Sequence, residues 1–178
     1  PGQILSLAEK TETIVGIFSL NQIPTGDKDP FALKRAALGA LRIIIECRLD
    51  LDLYELLSNA SALYSHDFDR DGCVNNVFDF MMDRLRAYYL DNEIDTLTFA
   101  AVLAKQPHRP LDFAQRINAV KNFQTLPEST DLAAANKRIH NILKKNQEII
   151  PSTFDAGILT ENAEIKLADH ITNIKQSL

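Results

Sequence analysis

Only two cysteines occur, Cys47 and Cys73, with no CxxC spacing and no histidine pair beside them. That argues against a zinc cluster and a disulfide-stapled scaffold, and it fits reduced thiols in a cytoplasmic protein. No uninterrupted apolar run approaches the roughly 20 residues that a membrane-spanning helix needs. The N-terminus lacks the basic flank, apolar stretch and small-residue cleavage site of a secretory signal. Alternating runs of Val, Ile, Thr and aromatics are missing, so no strand is predicted. Neither a GxxxxGK(S/T) nor a GxGxxG phosphate loop is present, and His66, His108, His140 and His170 form no HxxxH or HExxH pair. They read as unpaired surface histidines. Excess positive charge is lacking too: 19 Lys and Arg against 24 Asp and Glu leave a formal charge of −5. A uniformly cationic nucleic-acid coat is thereby ruled out, while a local basic patch is not.

What the chain does have is apolar residues, 46% of the total, recurring at helical spacing nearly throughout. With 24% of residues charged, composition suits one or two compact soluble domains, and the expected fold class is all-α. The chain starts at Pro1 without Met and reads as a piece of something longer. Ile4, Leu7, Thr11, Ile14 and Phe18 share one helical stripe. Residues 22–30 hold Pro24, Gly26 and Pro30, which no helix should cross, and Pro30 suits the first helical position after an Asp29 cap. Residues 31–47 are apolar almost all round after Gly39, which predicts a central helix with Cys47 in the core. Further helices are expected over residues 52–64, over 74–90 behind an acidic turn, and over 94–105 and 111–123. One more opens at Pro127, with Leu132, Ala135, Ile139 and Ile142 spaced for burial, and a last one carries Leu167, Ile171, Ile174 and Leu178 along one edge.

Charge is distributed unevenly. Residues 1–104 carry 9 basic and 16 acidic side chains, residues 105–145 carry 8 and 3, and residues 146–178 carry 2 and 5. The middle segment is a cationic island, and Lys137, Asn141 and Lys144 follow helical spacing with Arg138 and Lys145 one position round. Such cations can simply complement a helix C-terminus. Alternatively they form a phosphate-binding strip, each cation releasing a condensed counterion, so that RNA affinity falls steeply with salt.

Other constellations have bland competitors. Asp67, Asp69, Asp71 and Gly72 copy the first half of a calcium loop, but the twelfth position is Phe78, which offers no oxygen. An acidic helix start accounts for them equally well. Tyr88 and Tyr89 close the helix carrying Arg84 and Arg86, where rings could stack on unpaired bases while guanidinium groups hold phosphates. The competing reading has both rings roofing the core and the arginines paired with Asp79 and Asp83.

Residues 24–39 (PTGDKDPFALKRAALG) closely resemble the beta subunit of the bacterial two-subunit glycyl-tRNA synthetase. The likeness continues through residues 41–45 (LRIII), 80–89 (FMMDRLRAYY), 109–113 (RPLDF) and 132–139 (LAAANKRI), in the order of that subunit's C-terminal part. It implies a helical bundle similar to the anticodon-binding domain of the arginyl-tRNA synthetase type over residues 26–150. Residues 1–25 would be the end of an HD-like helical domain with its connecting loop, and residues 151–178 a C-terminal helix packing on the bundle or a partner. The family commonly shows Asp where this chain has Glu9 and Glu12, and the resemblance implies no metal ligand, cofactor or catalytic residue here.

In the parent complex a separate alpha subunit would activate glycine with ATP and Mg, while the beta subunit grips the tRNA. The implied partners are tRNA(Gly), the alpha subunit and upstream beta-subunit domains, with neither DNA nor membrane, in the cytoplasm. The RNA-binding residues expected are Arg84, Arg86 and Tyr89 on one helix, and Lys137, Arg138, Asn141 and Lys144 on another. Cations would hold phosphates and Tyr89 would stack. A rival expectation is an oligomerisation scaffold without RNA contact, suggested by the apolar edge of the last helix.

Overall fold

The computed structural model describes residues 1–25, 28–145 and 156–177. The described residues form α1 (Gly2–Ser19), α2 (Leu33–Glu46), α3 (Leu53–Ala62), α4 (Arg70–Asp91), α5 (Thr96–Leu103), α6 (Pro110–Gln124), α7 (Ser129–Lys145) and α8 (Asn162–Ser177), with a 3-10 turn at Ala156–Ile158. The fold is all-α: no strand occurs among the described residues, and Thr25 and Lys28 form only an isolated bridge. None of these helices is long and apolar enough to cross a membrane.

Aspartates start four of the helices. The carboxylates of Asp52, Asp69 and Asp95 accept from the N–H groups of Glu55, Gly72 and Thr98 at 3.1, 3.0 and 2.9 Å, satisfying donors that a helix start leaves orphaned. Asp29 works from outside the helix, accepting from the Leu33 and Lys34 N–H groups at 2.7 and 3.0 Å. Its clasp holds Ala32 in the left-handed region at φ 54°, so α2 begins at Leu33 rather than at Pro30. Capping by Asp69 likewise starts α4 at Arg70, earlier than the expected residue 74, and takes Asp71 and Gly72 into the helix. Pro110 occupies the first position of α6, where its missing N–H costs nothing.

Two compact units divide the described chain, residues 1–130 and 131–178. In the first, α2 packs against α1, α4 and α6 and is central, as its composition predicts. Leu41 and Ile44 of α2, Ile14 of α1, Leu57 of α3, Met81 of α4 and Phe113 of α6 are fully buried in one core. Each such side chain stabilises the fold by roughly 1.5–3 kcal/mol. The Leu53 N–H donates to the His108 carbonyl at 2.9 Å and Arg109 pairs with Asp50 at 2.6 Å, tying the start of α3 to the α5–α6 connection.

Several expectations differ from this arrangement. The α1 helix shares the core of α2, α3 and α4, the two units divide after residue 130, and residue 150 lies outside the described residues. Ile4 is 72% exposed although it continues the buried stripe of Leu7, Thr11, Ile14 and Phe18. Cys47 is the C-cap of α2 and half-buried rather than in the core. In the second unit no residue of α7 is buried, so Leu132, Ala135, Ile139 and Ile142 lie exposed instead of covered. Leu167, Ile171 and Ile174 of α8 are exposed as well, and Leu178 lies outside the described residues.

Candidate nucleic-acid interface

The basic strip stands on α7, a helix whose only acidic residue is Asp131, in its first turn. Lys137, Arg138, Asn141 and Lys144 are all exposed, and none of the three cations has a carboxylate within ion-pair distance among the described residues. At about 100° and 1.5 Å per residue, these four side chains and Lys145 share one side of the helix over roughly 12 Å. Lys137, Arg138, Asn141 and Lys145 line a shallow depression of about 350 Å3, with Ala134 and Ile142 as its apolar patches. Lys145, which the sequence places one position round on the same strip, lines this surface too, eight residues on from Lys137. Lys144 and Lys145 lie in the last turn, where a helix C-terminus favours cations. Lys137 and Arg138 lie near the middle of α7, beyond the reach of that effect.

The second group, on α4, is arranged differently from expectation. Arg84 and Arg86 lie two residues apart, about 200° round the helix, and so cannot share a face. Arg86 is exposed and unpaired among the described residues. Arg84 is half-buried, its guanidinium carbon 5.7 Å from the centroid of Phe80 and its Nε enclosed without a hydrogen-bond partner. Neither arginine pairs with Asp79 or Asp83.

Tyr89 turns inward. Its ring lies 6.1 Å from Phe99 and 6.0 Å from Phe113, and burial pushes its phenol up to about 12. A half-buried ring so engaged has less free face to offer a base. Tyr88 packs edge-on against Tyr89 at 5.6 Å and lies under Arg42, whose guanidinium is 5.9 Å from its centroid. The roofing half of the bland reading thus describes both tyrosines. The α4 and α7 groups belong to separate units.

Asp69 is engaged as a cap and Asp71 lies within α4, so the residues 67–72 do not wrap as a calcium loop. No cluster of three metal-ligating side chains occurs among the described residues. His66 is half-buried rather than at the surface, stacked on Phe68 at 4.8 Å, whereas His108, His140 and His170 are exposed. Burial raises the Cys73 thiol, whose Sγ lies 3.9 Å from the Val15 carbonyl, and so suppresses its reactivity.

A sequence model of the family described as glycyl-tRNA synthetase beta subunit matches residues 1–104. The chain belongs to that family. It is 51% identical over 168 residues to the glycine–tRNA ligase beta subunit of Coxiella burnetii (strain RSA 493 / Nine Mile phase I), covering 94% of this chain and 24% of the relative. The corresponding subunit of Klebsiella pneumoniae subsp. pneumoniae is 49% identical over 174 residues, covering 98% of this chain and 25% of the relative. That of Salmonella agona (strain SL483) is 48% identical over the same extent. The chain thus spans about a quarter of the length of these glycyl-tRNA synthetase beta subunits. The family match runs from α1 through α5 without a break at residue 25, whereas α7 lies outside it and inside the longer alignments.

Proposed function

We propose that this chain is a tRNA-gripping part of a glycyl-tRNA synthetase beta subunit, working in the cytoplasm on the anticodon arm of tRNA(Gly). In that complex the alpha subunit would activate glycine with ATP and Mg for attachment to tRNA. The observation that carries the reading is the α7 surface, where Lys137 and Arg138 stand exposed, unpaired among the described residues and too far from the helix end to be explained by its dipole. Lys144 and Lys145 extend the strip, Asn141 supplies an amide at its centre, and Arg86 is an exposed cation on α4. Cations at this spacing hold phosphates and set register, and they carry no base sequence by themselves.

Filter binding of tRNA(Gly) across a salt series tests this. Replacing Lys137, Arg138 and Lys144 by Glu should weaken binding at every salt and reduce the magnitude of the log–log salt slope by about 2, at roughly 0.7 per lost phosphate contact. Binding equal to the parent at every salt refutes the strip. A second reading, a scaffold that joins subunits, is favoured by the exposure of Leu132, Ile139 and Ile142 on α7 and Leu167 and Ile174 on α8. It is supported instead if the triple variant binds tRNA normally while aspartates at Ile139 and Ile142 change the oligomeric state.

A further inference from the structure

Phosphate contacts of the kind assigned to the α7 cations fix register without distinguishing one base from another. Unpaired bases are recognised instead by stacking on a ring and by hydrogen bonds to their edges. On α4 both tyrosines are half-buried and already packed, Tyr89 against Phe99 and Phe113 and Tyr88 between Tyr89 and Arg42. The α7 helix carries a ring of its own. His140 is its only aromatic side chain and is exposed, and the histidine ring contacts among the described residues involve His66 and His108 instead. It stands three residues after Lys137 and four before Lys144, about 60° and 40° of rotation away, so the two ammonium groups flank the ring on the turns before and after it. Asp131, the one acidic residue of α7, lies nine residues earlier, about 180° round and roughly 13 Å away along the axis. The adjacent Asn141 is exposed and lines the shallow depression beside the apolar patches of Ala134 and Ile142. Its amide offers donors and an acceptor together, as the edge of a base requires.

We propose that His140 and Asn141 are the base-contacting pair of this strip: the imidazole stacks on an unpaired base of the tRNA loop and the amide bonds the edge of that base. Lys137 and Lys144 hold the phosphates on either side. The assignment rests on the tRNA-gripping reading above and adds to it a division between groups that grip and groups that read. An exposed histidine on a helix ordinarily needs no partner. His140 differs in standing between two cations that no described carboxylate neutralises, on the side of the helix opposite its only acid, next to an amide above a depression.

Filter binding by the beta subunit of a set of tRNA(Gly) molecules, each abasic at one unpaired anticodon-loop nucleotide, tests the proposal. At one position, or two adjacent ones, the missing base should cost the parent roughly 5- to 150-fold in affinity, and His140→Ala should bind those abasic molecules as well as it binds intact tRNA. His140→Phe keeps a ring and should keep the sensitivity. Asn141→Ala should weaken binding of intact tRNA by roughly 2- to 10-fold and leave binding of the abasic molecules unchanged. All three variants should keep the parent's salt slope, because none loses a phosphate contact. A parent indifferent to every abasic site overturns the proposal, as does equal sensitivity in the parent and His140→Ala. A slope reduced by about 0.7 in His140→Ala also overturns it, since the histidine would then be a phosphate contact. Charge reversal of Lys137, Arg138 and Lys144 without effect overturns the strip and this assignment together, whereas an intact strip with unchanged abasic sensitivity overturns this assignment alone.

Discussion

Replacing Tyr89 by Ala distinguishes a core ring from a base-stacking ring, because the two roles fail in different assays. The structure places the ring between Phe99 and Phe113, with Tyr88 at its edge. Full removal of a core aromatic costs about 3–5 kcal/mol, and for a half-buried ring about 2–3 kcal/mol is expected. In a chain of this size that lowers the melting temperature by roughly 5–10 °C. A stacking ring would instead contribute about 1–3 kcal/mol to RNA binding, a loss of roughly 5- to 150-fold in affinity. The expected result, from thermal melts and filter binding well below the transition, is a large fall in stability with tRNA affinity kept within about twofold. Unchanged melting with binding weakened tenfold or more would refute the core assignment. The phenol provides an independent check. Its folded value of about 12 lies above the ordinary 10, so its contribution is complete below pH 10 and disappears as pH rises towards 12. Tyr89→Phe should blunt that alkaline loss and leave neutral stability alone, as the phenol oxygen makes no hydrogen bond among the described residues.

Two further outcomes follow from the caps and the close approaches in the first unit. Asp95 is held below the usual carboxylate range chiefly by the Thr98 hydroxyl and then by the Thr98 N–H, so it stabilises the fold at neutral pH and loses that contribution as pH falls through its lowered value. Asp95→Asn should flatten the acid limb of a melting-temperature profile, and superimposable acid limbs would contradict it. Gly16 lets the Tyr64 hydroxyl pass close by on its way to donate to the Glu12 carbonyl at 2.9 Å, and a methyl at that position would collide with the hydroxyl. Gly16→Ala should therefore lower the melting temperature, with Tyr64→Phe restoring part of the loss in the double variant. Simple addition of the two losses would show that the collision is elsewhere.

Periodicity made the inner face of α1 legible, since Leu7, Thr11, Ile14 and Phe18 recur every three or four residues and all four are buried. It overreached at Ile4 because a spacing rule cannot tell where the neighbouring helix stops covering the stripe. The start of α4 was illegible for a different reason: Asp67, Asp69 and Asp71 can each cap, and only the folded backbone selects Asp69. Adjacent tyrosines pose the same ambiguity, being about 100° apart on the helix, so either could face the core and Tyr89 does so more deeply against Phe99 and Phe113. On α7 the pattern separated a basic side from an apolar side. Whether anything covers the apolar side depends on tertiary contacts that no spacing encodes.

The aspartates at the helix starts alter how the first unit looks to a polyanion. Residues 1–104 carry seven more acidic than basic side chains, but Asp29, Asp52, Asp69 and Asp95 each rest against backbone N–H groups. Each helix start places roughly half a positive charge beside its aspartate, which weakens the negative field close to those four carboxylates and leaves the net charge of the unit unchanged. A phosphate group that passes close to one of these helix starts meets a weaker local repulsion than residue counting suggests.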